Sequence, residues 1–145
     1  MPANITPIFP LTPNVSWGTL VTANTAKDGT GTIVTLFTAG ANGARIDQMK
    51  SRAIGTNIAT VLRLFVNNGS DPTVAANNAL AHEVSIPATT LSEIAALNDV
   101  DITIPKNAGE IACPIPFLPA GYKITATIGT TIAAGIRVMV FGGDY

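Results

Sequence analysis

The segment from Tyr122 to Ile128 alternates apolar and polar side chains, with Lys123, Thr125 and Thr127 at the polar positions. Successive side chains of a strand point to opposite faces, so this period of two predicts a strand with one face in the core. No comparable stretch of the chain carries the 3.6-residue period of a long helix. Any fold must therefore be built from short strands.

Similar segments recur along the chain and are separated by turn signals such as Asn42-Gly43. We predict strands over residues 15–23, 31–39, 44–54, 58–66, 81–87, 100–104, 122–128 and 136–141. The third strand loses its alternation between Asp47 and Met49, which indicates a bulge or a short helical piece. Thr90 to Leu97 is expected to form one or two helical turns, with Glu93 completing a capping box. The pattern predicts an all-β fold: an antiparallel β-sandwich or jelly roll of about eight strands.

Residues 1–14 form the other distinct region, because four prolines stand among four large apolar residues (Ile5, Ile8, Phe9 and Leu11). Proline removes a donor and favours extended geometry in the residue before it. We predict an extended arm over residues 1–14, whose apolar side chains need a surface to lie on, and a single β-domain over residues 15–145.

Composition excludes several classes of protein. Only 12% of the 145 residues are charged, against about 25% in typical domains, and 8 Lys and Arg face 9 Asp and Glu. Such a chain is too hydrophobic for disorder and lacks the basic excess of a nucleic-acid binder. No apolar run approaches the length needed to span a membrane, and we expect no signal peptide. The single Cys113 excludes an internal disulfide and suits folding inside the cell.

Candidate catalytic and metal-binding residues are few. His82 and Cys113 are the single histidine and the single cysteine, and no local motif joins them. Asp99 and Asp101 would share one face of a strand, but two carboxylates are a weak calcium signal. The sequence therefore predicts no enzyme, no cofactor and no metal site. Arg45, Lys50, Arg52 and Arg63 are expected to form a solvated or salt-bridged interface face.

Several segments carry a family resemblance. They are residues 41–47, 53–57 and 61–66, then Leu118-Pro119-Ala120-Gly121-Tyr122-Lys123-Ile124 and the ending Val140-Phe141-Gly142-Gly143-Asp144-Tyr145. Together they resemble small virion proteins of tailed bacteriophages, the capsid decoration or cement proteins. The resemblance implies a β-rich homotrimer that binds the outer face of a capsid and bridges its subunits.

The expected function is accordingly that of a virion structural protein made in the host cytoplasm, with the major capsid protein and copies of itself as partners. The candidate partner-binding residues are Ile5, Ile8, Phe9, Leu11, Arg45 and Arg52. Two alternatives stay open: a phage tail or head-to-tail component, and a glycan-binding β-sandwich that uses Trp17. A hydrolase using Cys113 or His82 is the third rival.

Overall fold

The computed structural model of the protein describes residues 9–105 and 111–145, and its regular structure there is almost entirely β. These residues contain eleven strands, one short 3₁₀ helix (Ala75–Asn77) and no α-helix. The strands are β1 (Thr12–Leu20), β2 (Val34–Thr38), β3 (Ala44–Ala53), β4 (Thr60–Asn67), β5 (Asn78–Ile86), β6 (Asp99–Asp101), β7 (Ile104–Pro105), β8 (Ile111–Ala112), β9 (Phe117–Leu118), β10 (Lys123–Ile128) and β11 (Ile136–Asp144).

Two antiparallel sheets pack against each other. Sheet A has the order β1-β11-β3-β6, with the two-residue β9 also pairing with β3, and sheet B has the order β2-β10-β4-β5. The eight strands longer than two residues pair first with last, second with seventh, third with sixth and fourth with fifth. This pairing is the jelly-roll form of a β-sandwich. The predicted fold class is confirmed, and β7, β8 and β9 are short additions to the expected eight strands.

The core lies between the sheets and follows the predicted alternation. The inward side chains of β10 are Ile124, Ala126 and Ile128, and all three are fully buried. β11 faces them across the core with its own alternating apolar positions: Ile136, Val138 and Val140. The period of two seen in the sequence therefore places these strands correctly.

Strand β3 contains a bulge at the point where its alternation fails. Phe141 of β11 lies opposite Gln48, but the next residue, Gly142, lies opposite Ile46, so Asp47 is an extra residue in the ladder. At Gly142 a Cβ atom would collide with the main-chain oxygen of Arg45, so the crowded backbone requires glycine. The bulge alternative is confirmed, and the helical alternative is wrong.

The helical turns expected from Thr90 to Leu97 are also absent. Thr89 exchanges two main-chain hydrogen bonds with Asn57, at N–O distances of 2.8 and 3.1 Å. The amide of Leu91 then donates to the Thr56 hydroxyl at 3.0 Å. The backbone groups at the start of this segment bond to residues 56–57, so they are not available to close a helical turn.

Residues 21–33, between β1 and β2, cross the outward side of sheet B. Asn24 anchors this crossing segment: its amide donates to the Ile128 carbonyl at 2.7 Å, and its side chain donates to the Thr32 carbonyl at 2.9 Å. Farther along, Lys27 reaches Glu83 of β5 at 3.7 Å. The segment thus spans the sheet from β10 to β5.

Arg63 of β4 ties the crossing segment to the sheet. Its Nη1 donates to the Asn24 carbonyl at 3.1 Å, and its Nε donates to the Glu83 carboxylate at 2.8 Å. The outward residues Phe65, Thr125 and Thr127 are all fully buried. The outward face of sheet B is therefore covered over β4 and β10, whereas β5 keeps exposed side chains and the outward face of sheet A stays open.

Strand β1 begins inside the region assigned to the arm. Thr12 pairs with Asp144, and the Leu11 amide donates to the Asp144 carbonyl at 2.8 Å, so residues 12–14 belong to the sheet. Proline is tolerated here because β1 is the first strand of its sheet, where one side needs no ladder donor. Residues 1–8 of the predicted arm lie outside the described residues.

Replacing Arg63 with alanine should lower the free energy of unfolding by about 2 kcal/mol, because Asn24 and Glu83 lose a charged donor. Urea denaturation followed by circular dichroism measures this loss. Lys27→Ala is the matched control, since Lys27 pairs with the same carboxylate but is largely exposed, and it should cost at most about 0.5 kcal/mol. Equal losses in the two variants would contradict the anchoring role of Arg63.

Candidate interaction surface

The outward face of sheet A carries a strip of large apolar side chains. On β1 and just before it, the outward positions include Leu11, Val15 and Trp17, which are 83%, 48% and 56% exposed. Val15 lies opposite Phe141 and Trp17 lies opposite Met139, so β11 widens the strip by one strand. We call these five residues the apolar strip. Contiguous exposed apolar side chains of this size are typical of an interaction surface.

Charged side chains occupy the neighbouring half of the same face. Arg45 and Lys50 project from β3 and pair with Asp47 and Asp99, at N–O distances of 2.9 and 3.0 Å. Gln48 donates to Asp101 at 3.3 Å. We call the outward residues of β3 and β6 the charged strip. An apolar strip bordered by partly exposed ion pairs has the composition of a protein interface with a polar rim.

The apolar surface continues past the end of β1. Phe9 is 67% exposed, and Phe117 of β9, which lies opposite Arg45, is 70% exposed. Phe117 and Tyr145 line a shallow groove together with Asn42, Leu118 and Pro119. The open face therefore ends in a cluster of accessible aromatic rings.

Four of the six predicted partner-binding residues can be placed. Leu11 belongs to the apolar strip, and Arg45 and Arg52 lie in the charged strip, so the fold brings these three to one side of one sheet. Phe9 is exposed two residues before Leu11. Ile5 and Ile8 lie outside the described residues. Of the basic cluster, Arg63 is separate, because it is almost fully buried in sheet B.

Sequence reasoning did not join Leu11 and Trp17 into one surface, and it missed Val15, Met139 and Phe141. The signal was present, because Leu11, Val15 and Trp17 all stand at odd-numbered positions, which share one face of an extended chain. Reading the prolines as a boundary near residue 14 divided that strand in two, so the shared face was not recognised.

The two candidate catalytic residues lie apart. His82 is on β5 of sheet B, opposite Leu64, whereas Cys113 follows β8 and lies beside Asp47 and Gln48 of sheet A. The Cys113 thiol donates to the Ile115 carbonyl at 3.3 Å. Burial raises the pKa of the Cys113 thiol, and the Asp47 carboxylate acts in the same direction. This environment favours the protonated thiol over the nucleophilic thiolate.

Asp99 and Asp101 project from β6 but are already engaged by Lys50 and Gln48. Across residues 9–105 and 111–145, no group of three or more His, Cys, Asp or Glu side chains is placed to hold a metal ion. The same residues include no helix with the length and hydrophobicity required to cross a bilayer.

Comparisons of the chain with protein-family models, curated proteins and solved structures find no match. The resemblance of separate segments to decoration proteins therefore stays a prediction. The chemistry of the open face of sheet A is therefore the structural observation that bears on function.

Cys113 should react slowly with a thiol reagent at neutral pH, because its raised pKa leaves less thiolate than an exposed cysteine would have. The rate of reaction with iodoacetamide, followed by mass spectrometry from pH 7 to pH 10, measures this. The expected profile rises at a higher pH than that of the same chain in denaturant. Coinciding profiles would contradict a protected thiol.

Proposed function

We propose that this protein is a non-enzymatic structural component of a virion that binds the outer surface of a capsid and bridges its subunits. The observation that carries the proposal is the apolar strip, which lies beside the charged strip on the open outward face of sheet A. The major capsid protein is the proposed partner, and copies of the chain associate with one another on the shell.

Burial of the apolar strip supplies the energy for attachment. Removing a large apolar side chain from water contributes about 1.5–3 kcal/mol, and Leu11 and Trp17 are both more than half exposed. A shell presents the same site many times, so bridging molecules gain avidity without needing a deep pocket. The ion pairs of the charged strip contribute less energy and fix the register of the contact.

The choice of a virion comes from the resemblance of residues 41–47, 53–57, 61–66, 118–124 and 140–145 to decoration proteins. The fold is compatible with this choice, since jelly rolls occur in viral capsid proteins, but they also occur in lectins. Trp17 has apolar outward neighbours in Met139 across the sheet and Val15 along β1, and its other neighbour along β1 is the polar Thr19. Two apolar neighbours favour a protein partner, since a sugar-binding platform has mostly polar neighbours around the ring.

Replacing Trp17 with alanine should weaken binding to capsid shells at least about tenfold, which corresponds to about 1.4 kcal/mol of lost burial. Val15→Ser should act in the same direction. Val74→Ser is the matched control, because Val74 is 47% exposed and Val15 48% exposed, but Val74 lies in the loop between β4 and β5. Co-sedimentation with shells assembled from the major capsid protein measures the occupancy.

Unchanged occupancy with Trp17→Ala, in a variant that keeps its unfolding midpoint, would overturn the docking face. Immunogold labelling of intact particles separates the capsid from the tail alternative. Labelling restricted to the tail would replace decoration with a tail or head-to-tail role.

Deleting residues 1–8 should lower shell occupancy while leaving the β-sandwich folded, because the deletion removes Ile5 and Ile8 but leaves the pairing of β1 with β11 intact. A deletion to residue 13 would remove Thr12 and Pro13 from the sheet and would confuse unfolding with lost contact. The readouts are the unfolding midpoint and shell co-sedimentation. Unaltered occupancy would limit the contact to the sheet face.

A further inference from the structure

Two arginine side chains lie next to each other at the far end of sheet A and pair with no carboxylate of residues 9–105 or 111–145. Arg137 of β11 is directly opposite Arg52 of β3, and both point outward. Like charges in this position destabilise a pair of strands. Asp99 lies opposite Arg52 on its other side, but its carboxylate pairs with Lys50 at 3.0 Å. Neither arginine belongs to any ion pair formed within the described chain.

The two guanidinium groups border a depression with an apolar floor. Its other lining residues are Ala53, Ile54, Leu97 and Met139. Ile54 is partly exposed there, and Met139 also belongs to the apolar strip. We call this the arginine depression. It provides two positive charges and an apolar surface, so a complementary ligand carries a carboxylate beside a large apolar side chain.

The segment from Thr90 to Leu97, which was predicted to be helical, carries a carboxylate and large apolar side chains that would complement the depression. Ile94 is 98% exposed and Leu91 is 53% exposed, and Glu93 stands between them in the sequence. Glu93 has no ion-pair partner among residues 9–105 and 111–145. Residues 91–94 therefore form a knob with one free carboxylate and two accessible apolar side chains.

The knob is held in place at its base. Thr89 pairs with Asn57, the Leu91 amide donates to the Thr56 hydroxyl at 3.0 Å, and the Ile94 amide donates to the Ser92 hydroxyl at 3.2 Å. These bonds fix the backbone and so reduce the entropy lost when the knob binds. A pre-ordered, fully exposed isoleucine is costly in water unless a partner covers it.

We propose that the knob of one copy docks into the arginine depression of a second copy. Glu93 then supplies the missing counter-charge to Arg52 and Arg137, and Ile94 packs on the apolar floor beside Ile54. Since every copy carries both the knob and the depression, the contact forms reciprocally across a two-fold axis or head to tail in a ring. This inference rests on the self-association part of the proposed function and names the residues that perform it.

Charge reversal tests this contact, with the mass of the purified protein measured by sedimentation equilibrium. Glu93→Arg, and separately the double variant Arg52→Glu with Arg137→Glu, should each raise the dissociation constant of self-association at least about tenfold. Combining all three reversals restores opposite charges across the contact, and the oligomer should return. Lys123→Glu, which reverses a charge on sheet B, is the control and should leave the mass unchanged.

Three results would overturn the contact: a wild-type protein that stays monomeric at micromolar concentrations, an oligomer that resists both reversals, or no recovery in the combined variant. If the wild-type protein is monomeric and the double variant no longer binds shells, the arginine depression binds the capsid and not a second copy of the chain. Shell co-sedimentation is measured in parallel. An oligomer that behaves as expected but does not bind shells would contradict the proposed function alone.

Discussion

The contact between Asn24 and Arg63 determines which surface of this protein is open. Asn24 fixes the crossing segment to the end of β10, and the buried guanidinium of Arg63 joins that segment to β4 and β5. Thr125 and Thr127, which a simple sandwich would leave in water, are buried as a result. The strands β4 and β10 of sheet B are thereby covered on both sides, and the strip of large exposed apolar side chains lies on the other sheet.

Sheet A divides that open surface by strand. β1 and β11 provide the apolar strip, and β3 and β6 provide the charged strip. The few charged residues of the chain are divided in the same way. Many of them lie along β3 and β6, and few occupy the outward positions of β1 and β11. The two proposed contacts adjoin, because Met139 of the apolar strip lies opposite Trp17 and also lines the arginine depression with Arg52.

The sequence predicted the elements whose causes are local. The alternation from Tyr122 to Ile128 placed β10 correctly, and the broken alternation at Asp47 indicated the bulge in β3. The predictions failed where a segment's hydrogen bonds or burial depend on residues that are distant in the sequence. The segment after Thr90 has a sound capping pattern, but residues 56–57 take its backbone hydrogen bonds. The burial of Thr127 depends on a loop about a hundred residues earlier, which no local pattern reveals.

The pairing of the first strand with the last has a consequence for synthesis. β1 leaves the ribosome early but finds its partner only when Ile136–Asp144 emerges, so the sandwich closes late and through contacts distant in sequence. The same event brings Met139 beside Trp17 and Phe141 beside Val15. An interrupted chain lacks Met139 and Phe141, two of the five residues of the apolar strip. Only a chain synthesised through β11 therefore carries the whole strip.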